Sequence, residues 1–283
     1  MRVSTAQFNQ QSIDSIGRRN EAIARLQEQL SSGRRINQSS DDPIAAAEAE
    51  RIRSSTAQLA IEKRMMSFAT GMLTQAESTL ANGSDVVQSA RELLIAAGNG
   101  SLQAEDRALI ATQLQGLRAE LLTVANQRDG AGGYVFGGQG AGSPPFTPDG
   151  APAYRPKTGT QQTGLDVSFD TTVDGGHVFI GDGGATTGSI FAALDTIIAQ
   201  LDDATLDGVA LRTGLDIAIQ STDASLGRML TARTEIGEQL RALDSRGRLV
   251  ESGELRAASR LSDLTATDYA AAISELQTHQ LAV

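Results

Sequence analysis

Leu226-Gly-Arg-Met-Leu-Thr-Ala-Arg-Thr-Glu-Ile-Gly-Glu-Gln-Leu-Arg-Ala-Leu243 begins a run in which apolar residues recur every seven positions. Met229, Ile236, Leu243, Val250, Ala257, Leu264 and Ala271 fill one line without a miss, and Leu226, Leu240 and Leu261 stand on a companion line. Seven residues are close to two helical turns, so both lines share one face and the segment reads as a single long helix. The companion line also holds Arg233, Gly247, Glu254 and Asp268. Those charges and that glycine disfavour a free-standing two-stranded coil and favour packing on other helices, the charged stems covering apolar surface. Gly247 weakens the helix by up to about 1 kcal/mol relative to Ala and marks a candidate bend or close approach.

Outward from this run, proline and glycine divide the chain into helix, insert and helix. Residues 1–130 carry only Pro43, residues 130–190 hold the other five prolines and most of the glycines, and no proline follows. Near the start, Ile16, Ile23 and Leu30 recur at sevens with Leu26 between them, the narrow stripe of a helical seam. Ser31-Ser-Gly33 ends that helix, and Asp42-Pro43 restarts one, with Asp42 as N-cap and Pro43 at the first helical position. Ile61, Met65, Phe68, Met72, Ala76 and Leu80 then continue at spacings of three and four, and Ile110, Leu114, Leu117, Leu121 and Val124 do the same in a third helix ended by Asp129-Gly130. In the middle zone Asp149-Gly150, Asp174-Gly-Gly176 and Asp182-Gly-Gly184 are turn signals. His177-Val-Phe-Ile180 and Leu165-Asp-Val-Ser-Phe169 read as short strands between such turns. The fold expected is mainly α: an elongated antiparallel rod of long helices with a small β-rich insert near the middle of the chain.

Composition narrows the function classes. A content of 40% hydrophobic and 20% charged residues is globular, and only 4% aromatic residues with no Trp suit close-packed helices better than a sheet-rich core. A net charge of −10 disfavours nucleic acid and an anionic membrane face as partners. Only Lys63 and Lys157 among the 24 basic residues are lysines, a habit of composition. There is no cysteine, hence no disulfide, thiolate metal site or thiol nucleophile. The opening residues lack the apolar core of a cleavable signal peptide, and no segment has the length of a transmembrane helix.

Candidate chemistry resolves into structural roles. His177 and His279 are far apart and have no cluster of ligand-type neighbours, so neither a metal site nor a Ser-His-Asp arrangement is supported. Gly130-Ala-Gly-Gly-Tyr-Val-Phe-Gly-Gly138 fits neither phosphate-loop spacing and follows a helix where a strand is needed, so it reads as a flexible turn into the insert. Asp41 and Asp42 form a cap and not a calcium site, because Pro43 follows and no third ligand is spaced for one. Glu105 and Asp106 read as first-turn charges. No catalytic residue, cofactor or metal is expected.

Gln29-Leu-Ser-Ser-Gly-Arg-Arg-Ile-Asn-Gln-Ser-Ser-Asp-Asp-Pro-Ile-Ala-Ala46, with the opening from Arg2-Val-Ser-Thr5, resembles the signature of flagellin-type axial proteins. Ala125-Asn-Gln-Arg-Asp-Gly-Ala-Gly-Gly-Tyr-Val-Phe-Gly-Gly138, then Pro145-Phe146 and Tyr154, is similar to the hook-associated branch of that family, found at the junction of hook and filament. The resemblance implies a structural subunit that is exported unfolded through the flagellar type III apparatus without a cleaved signal, acts outside the cell and is not an enzyme. It implies self-association in a ring, a neighbouring hook-associated protein, flagellin and an export chaperone as partners, with no nucleic acid and no membrane. Relatives usually continue for about twenty residues of striped helix beyond Val283, about 30 Å of length, so a shorter terminal pairing is expected here.

On that reading residues 1–42 and 251–283 form terminal axial segments, 43–132 and 191–250 a helical rod, and 133–190 the outer insert. An isolated terminal helix is marginal in water, so the end stripes are expected to gain order on assembly. Their assembly residues are Ile16, Ile23, Leu26, Leu30, Ile36, Leu261, Leu264, Ile273 and Leu276. The rod core is assigned to Phe68, Met72, Leu114, Leu117, Leu121, Met229, Ile236, Leu243 and Val250. Two other readings compete: a short flagellin of the filament, and a surface adhesin whose insert binds sugar through Phe146, Tyr154, Phe169 and Phe179, a thin supply of aromatics.

Overall fold

The computed structural model describes residues 2–100, 102–130, 132–138, 142–151, 160–162, 168–170, 172–181, 189–206 and 208–281. In chain order these form α1 (Arg2–Ser32), α2 (Pro43–Ala97), α3 (Ala104–Ala125), β1 (Thr160–Gln162), β2 (Ser168–Asp170), α4 (Gly175–Phe179), α5 (Ile190–Asp202), α6 (Gly208–Thr265) and α7 (Tyr269–Leu281). The fold is mainly α, dominated by long helices. The chain makes two compact units, one of residues 1–61 with 248–283 and one of residues 62–247, and both α2 and α6 contribute to each.

Within residues 62–247, α2 and α6 run antiparallel. Glu62 pairs with Arg246 at 2.6 Å, Glu77 with Arg233 at 2.7 Å and Arg91 with Asp223 at 2.5 Å, so one number falls as the other rises. Leu73, Ala76, Leu80 and Leu94 of α2 are buried, as are Met229, Ile236 and Leu243 of α6. Each such Leu or Ile contributes roughly 1.5–3 kcal/mol on leaving water. α3 and α5 pack on each other. Leu114 and Leu121 are buried on α3, Leu117 is half-buried, and α5 buries Ile190, Phe191, Leu194, Ile197, Ile198 and Leu201.

Four expectations are corrected here. Phe68, assigned to the rod core, is 50% exposed, and Met72 is only half-buried. The buried row of α2 lies one position over, at Met66, Ala69 and Leu73. Among its described residues the insert is not β-rich: the strands there are β1 and β2, three residues each, paired antiparallel with Gln161 opposite Phe169. Leu165, Asp166 and Val167 of the second expected strand lie outside the described residues, as does Tyr154. His177-Val-Phe-Ile180 is no strand but most of α4 and its C-cap, because the Asp174 carboxylate accepts the N–H groups of Gly176 and His177 and starts a helical turn. Finally, a Cβ on Gly247 would meet nothing within 4 Å. The close approach is at Gly253, where a Cβ would stand 3.3 Å from Leu59.

In the other unit, residues 1–61 with 248–283, α1 packs on α7. Val250 is buried, and Glu48 pairs with Arg260 at 3.3 Å, so the antiparallel sense holds here too.

Candidate assembly surfaces

Both chain ends change direction, and the two changes face each other. α1 stops at Ser32 and Gly33 takes φ +68°, where L side chains are strained and where a Cβ would also lie 2.9 Å from the Tyr269 hydroxyl. α6 stops at Thr265, and α7 starts at Tyr269. Between these stops the backbones join: Arg35 N–H donates to the Thr265 carbonyl at 2.7 Å, and Thr267 N–H donates to the Gly33 carbonyl at 3.1 Å. The Arg35 guanidinium donates to the Leu264 carbonyl at 2.9 Å, and the Gln29 amide donates to the Arg35 carbonyl at 2.8 Å. The helix-end carbonyls thereby find partners that the helices do not supply.

Each restart has its own carboxylate. Asp42 accepts the Ala45 N–H at 3.0 Å ahead of Pro43, whose missing N–H costs nothing at the first helical position. Asp268 accepts from Ala270 and Ala271 at 3.0 and 3.1 Å and caps α7. Asp41 accepts from Gln38 and Asn37, and these backbone N–H groups hold its carboxyl below the usual 3.8. The break also resets the helical phase. Ala271, last on the seven-residue line, is exposed, and Ala272 is buried in its place.

Of the residues assigned to assembly, Leu26 is buried within the chain, and Ile23, Leu30, Ile36, Leu261, Leu264 and Leu276 are half-buried. Ile16 and Ile273 remain exposed at 49% and 45%. The α1–α7 pair thus shields part of the stripe and leaves the rest open. His279 lies 3.8 Å from Glu275, one turn earlier on α7. Among the described residues no group of three His, Asp or Glu side chains is placed to hold a metal ion, and no helix is long and apolar enough to cross a membrane.

The segment read as a flexible turn is packed over residues 134–137, past the exposed Gly130 and Gly132. Tyr134, Val135, Phe136 and Phe146 are buried, and Phe136, Phe146, Phe179 and Phe191 form one cluster with ring centroids 5.2–6.0 Å apart in successive pairs. Phe136 and Phe146 both meet Phe179 edge-on, the favoured arrangement of aromatic quadrupoles. Asn126, just past α3, fastens the segment: its amide donates to the Phe146 carbonyl and accepts the Phe146 N–H, each at 3.0 Å. Arg118 makes a fork to Asp195 at 2.8 and 2.9 Å, donates to the Pro148 carbonyl at 2.8 Å and lies over the Phe191 ring. Gly150, at φ +77°, lets the backbone pass where a Cβ would be 2.4 Å from that of Phe191. The buried Phe146 and Phe179 have no face to offer a sugar. Sequence reasoning missed this cluster, although Asn126 and Phe146 lay in the quoted motifs.

Comparison with known proteins agrees in both halves of the chain. The family model described as the bacterial flagellin N-terminal helical region matches residues 3–141. The chain is 33% identical over 298 aligned residues to flagellar hook-associated protein 3 of Escherichia coli, covering 100% of this chain and 94% of that protein. In fold it is similar to a putative flagellar hook-associated protein from Vibrio parahaemolyticus, with TM-score 0.73, 20% identity, and 80% of this chain and 100% of that one covered. It is similar also to the flagellar junction protein FlgL from Legionella pneumophila, with TM-score 0.63, 17% identity, and 77% and 100% covered.

Proposed function

The chain belongs to the family of flagellar hook-associated protein 3, and from that premise we propose that it is the structural subunit that joins hook to filament in the bacterial flagellum. The observation that carries this is the match along the whole chain at 33% identity, which includes the Tyr134–Phe136 segment and its buried cluster. The role is mechanical and not enzymatic. The site of action is outside the cell, after export through the flagellar apparatus with the help of a chaperone.

Assembly proceeds through the chain ends. Copies of the chain meet as a ring, with a neighbouring hook-associated protein on one side and flagellin on the other. Identical surfaces do not serve both neighbours, so the contacts are head-to-tail and close by the lattice and not by a two-fold axis. Ile16 and Ile273 stay exposed and the stripe around Ile23 and Leu264 is only half shielded, which supports a surface completed by other subunits. In the monomer these ends are marginal, and burial on assembly stabilises them by roughly 1.5–3 kcal/mol per Leu or Ile, less the cost of ordering. Strong amide-exchange protection at both ends of the soluble monomer would remove this part of the reading.

The test of the role is electron microscopy of cells lacking the gene, with a blot for flagellin in the medium. Bare hooks and flagellin lost to the medium are expected. Hooks that carry normal or merely shortened filaments would instead indicate a minor flagellin.

A further inference from the structure

One row of α2 runs through Met65, Phe68, Met72, Thr79, Val86 and Ala90, all spaced at three, four or seven. Its later part is closed: Thr79, Val86 and Ala90 are buried. The end of α3 lies against it, because a Cβ on Gly83 would stand 3.3 Å from Val124 and the Gln75 amide donates to the Arg128 carbonyl at 2.8 Å. Before residue 75 the same row is open, with Met65 37% and Phe68 50% exposed. The apolar face therefore continues past the end of the helix that covers it, and what fits there is another helix laid along the same line. Arg64, one turn before Phe68 and exposed, puts a cation beside this open stretch.

The complementary surface is on the same chain, at the start of α3. Glu105 and Leu109 stand one turn apart and are both exposed, Leu109 by 65%, with Asp106 next to them. An apolar side chain flanked by carboxylates matches an apolar row flanked by a guanidinium. Two different patches of one chain that fit each other make a heterologous contact, the kind that closes a ring. Resting on the reading of this chain as a self-associating subunit, we propose that the start of α3 in one copy docks on the Met65–Phe68 row of the next. Leu109 packs against Phe68, and Glu105 faces Arg64. Two or three side chains bury too little area to hold a pair alone, so the contact forms within the assembled ring.

The natural absence of cysteine makes the contact directly testable. Chains carrying Phe68→Cys and chains carrying Leu109→Cys, differently tagged, are co-expressed in cells lacking the native gene, and isolated flagella are mildly oxidised. A disulfide forms only where the two Cα atoms come within about 7 Å. A mixed covalent dimer, absent when either variant is expressed alone, is the expected result. Arg64→Glu in the first chain lowers its yield several-fold, and Glu105→Arg in the second restores it. A self-linked Phe68→Cys dimer, a link to a different flagellar protein, or no mixed dimer in flagella whose filaments stay attached would each overturn the contact while leaving the junction role intact. Each variant's thermal melt is checked first, and Met65→Cys replaces Phe68→Cys if that melt falls. If loss of the gene leaves filaments attached, the junction role is what fails, and oxidation of the assembly from which the tagged chains are then recovered still decides the contact.

Discussion

Replacing Asn126 with Ala removes one side chain that makes two hydrogen bonds with the backbone of Phe146, both 3.0 Å long. Nothing else changes at the end of α3, since the Asn126 N–H bond to Leu122 and the Gln127 N–H bond to Val124 are backbone bonds and the Asn126 φ of −102° suits Ala. The Phe146 N–H and carbonyl are left partly buried without that partner, at a cost of about 1–1.5 kcal/mol each, or about 2–3 kcal/mol together. For a unit the size of residues 62–247 this lowers Tm by about 5–10 °C, at about 2–4 °C per kcal/mol. Differential scanning calorimetry of the whole chain measures it, and near-UV circular dichroism should show the aromatic cluster loosening. Asn126→Asp is the informative companion. Its carboxylate still accepts the Phe146 N–H but confronts the carbonyl, to which only the protonated acid can donate. The folded-state pKa is therefore raised, and this variant gains stability as pH falls through that value, which the native chain does not do at this site. A fall of less than about 2 °C for Asn126→Ala would refute the claim that this amide fastens the segment.

Leu243→Asp places a carboxylate at a fully buried position and should abolish cooperative unfolding of residues 62–247, a loss of about 3 kcal/mol or more, whereas Ile23→Asp should leave the melt nearly unchanged and block incorporation into flagella. A large melting shift for Ile23→Asp would show that α1 is already core in the monomer. Arg118→Lys keeps the charge but loses the fork to Asp195 and the stack on Phe191, and should cost about 1–2 kcal/mol in a urea titration; an unchanged midpoint would assign the pair to solvated surface. Asp41 has a folded pKa below 3.8, so its contribution to the 33–42 turn is complete above that value and is lost as pH falls through the lower one. Amide exchange at Asn37 and Gln38 should accelerate in that acid window and not in Asp41→Asn, which lacks the titration.

The long helices were legible because a seven-residue period survives any partner: Met229, Ile236, Leu243 and Val250 are all buried where the count puts them. The α2 row was not, and the reason is local. Met65-Met66, Phe68-Ala69 and Met72-Leu73 place two apolar rows side by side, both with helical spacing. Which one turns inward depends on the position of α6 and the end of α3, and periodicity within α2 carries no information about either. The misread strand at His177–Ile180 has a similar origin. Its apolar run is ambiguous at four residues, and the cap from Asp174 decided the matter. The aromatic cluster draws on residues 136, 146, 179 and 191, so no window of sequence contains it. Among the assembly residues the stripe was visible, but its division into shielded and open parts follows from how α1 lies on α7.

The backbone bonds between Gly33–Arg35 and Thr265–Thr267 bear on how this gene can change its length. Leu59 meets Gly253 and Glu48 meets Arg260, so both limbs are pinned at one end by side chains and at the other by the chain itself. An inserted or deleted codon in either limb, between residues 43 and 58 or between 254 and 264, would rotate one helix by about 100° against its partner and pull the bonded turns out of step. No single conservative substitution elsewhere corrects that, so such changes should be purged unless the opposite limb changes with them. Length variation among related genes should therefore collect in the proline- and glycine-bearing insert, leaving these two limbs uniform in length across the lineage.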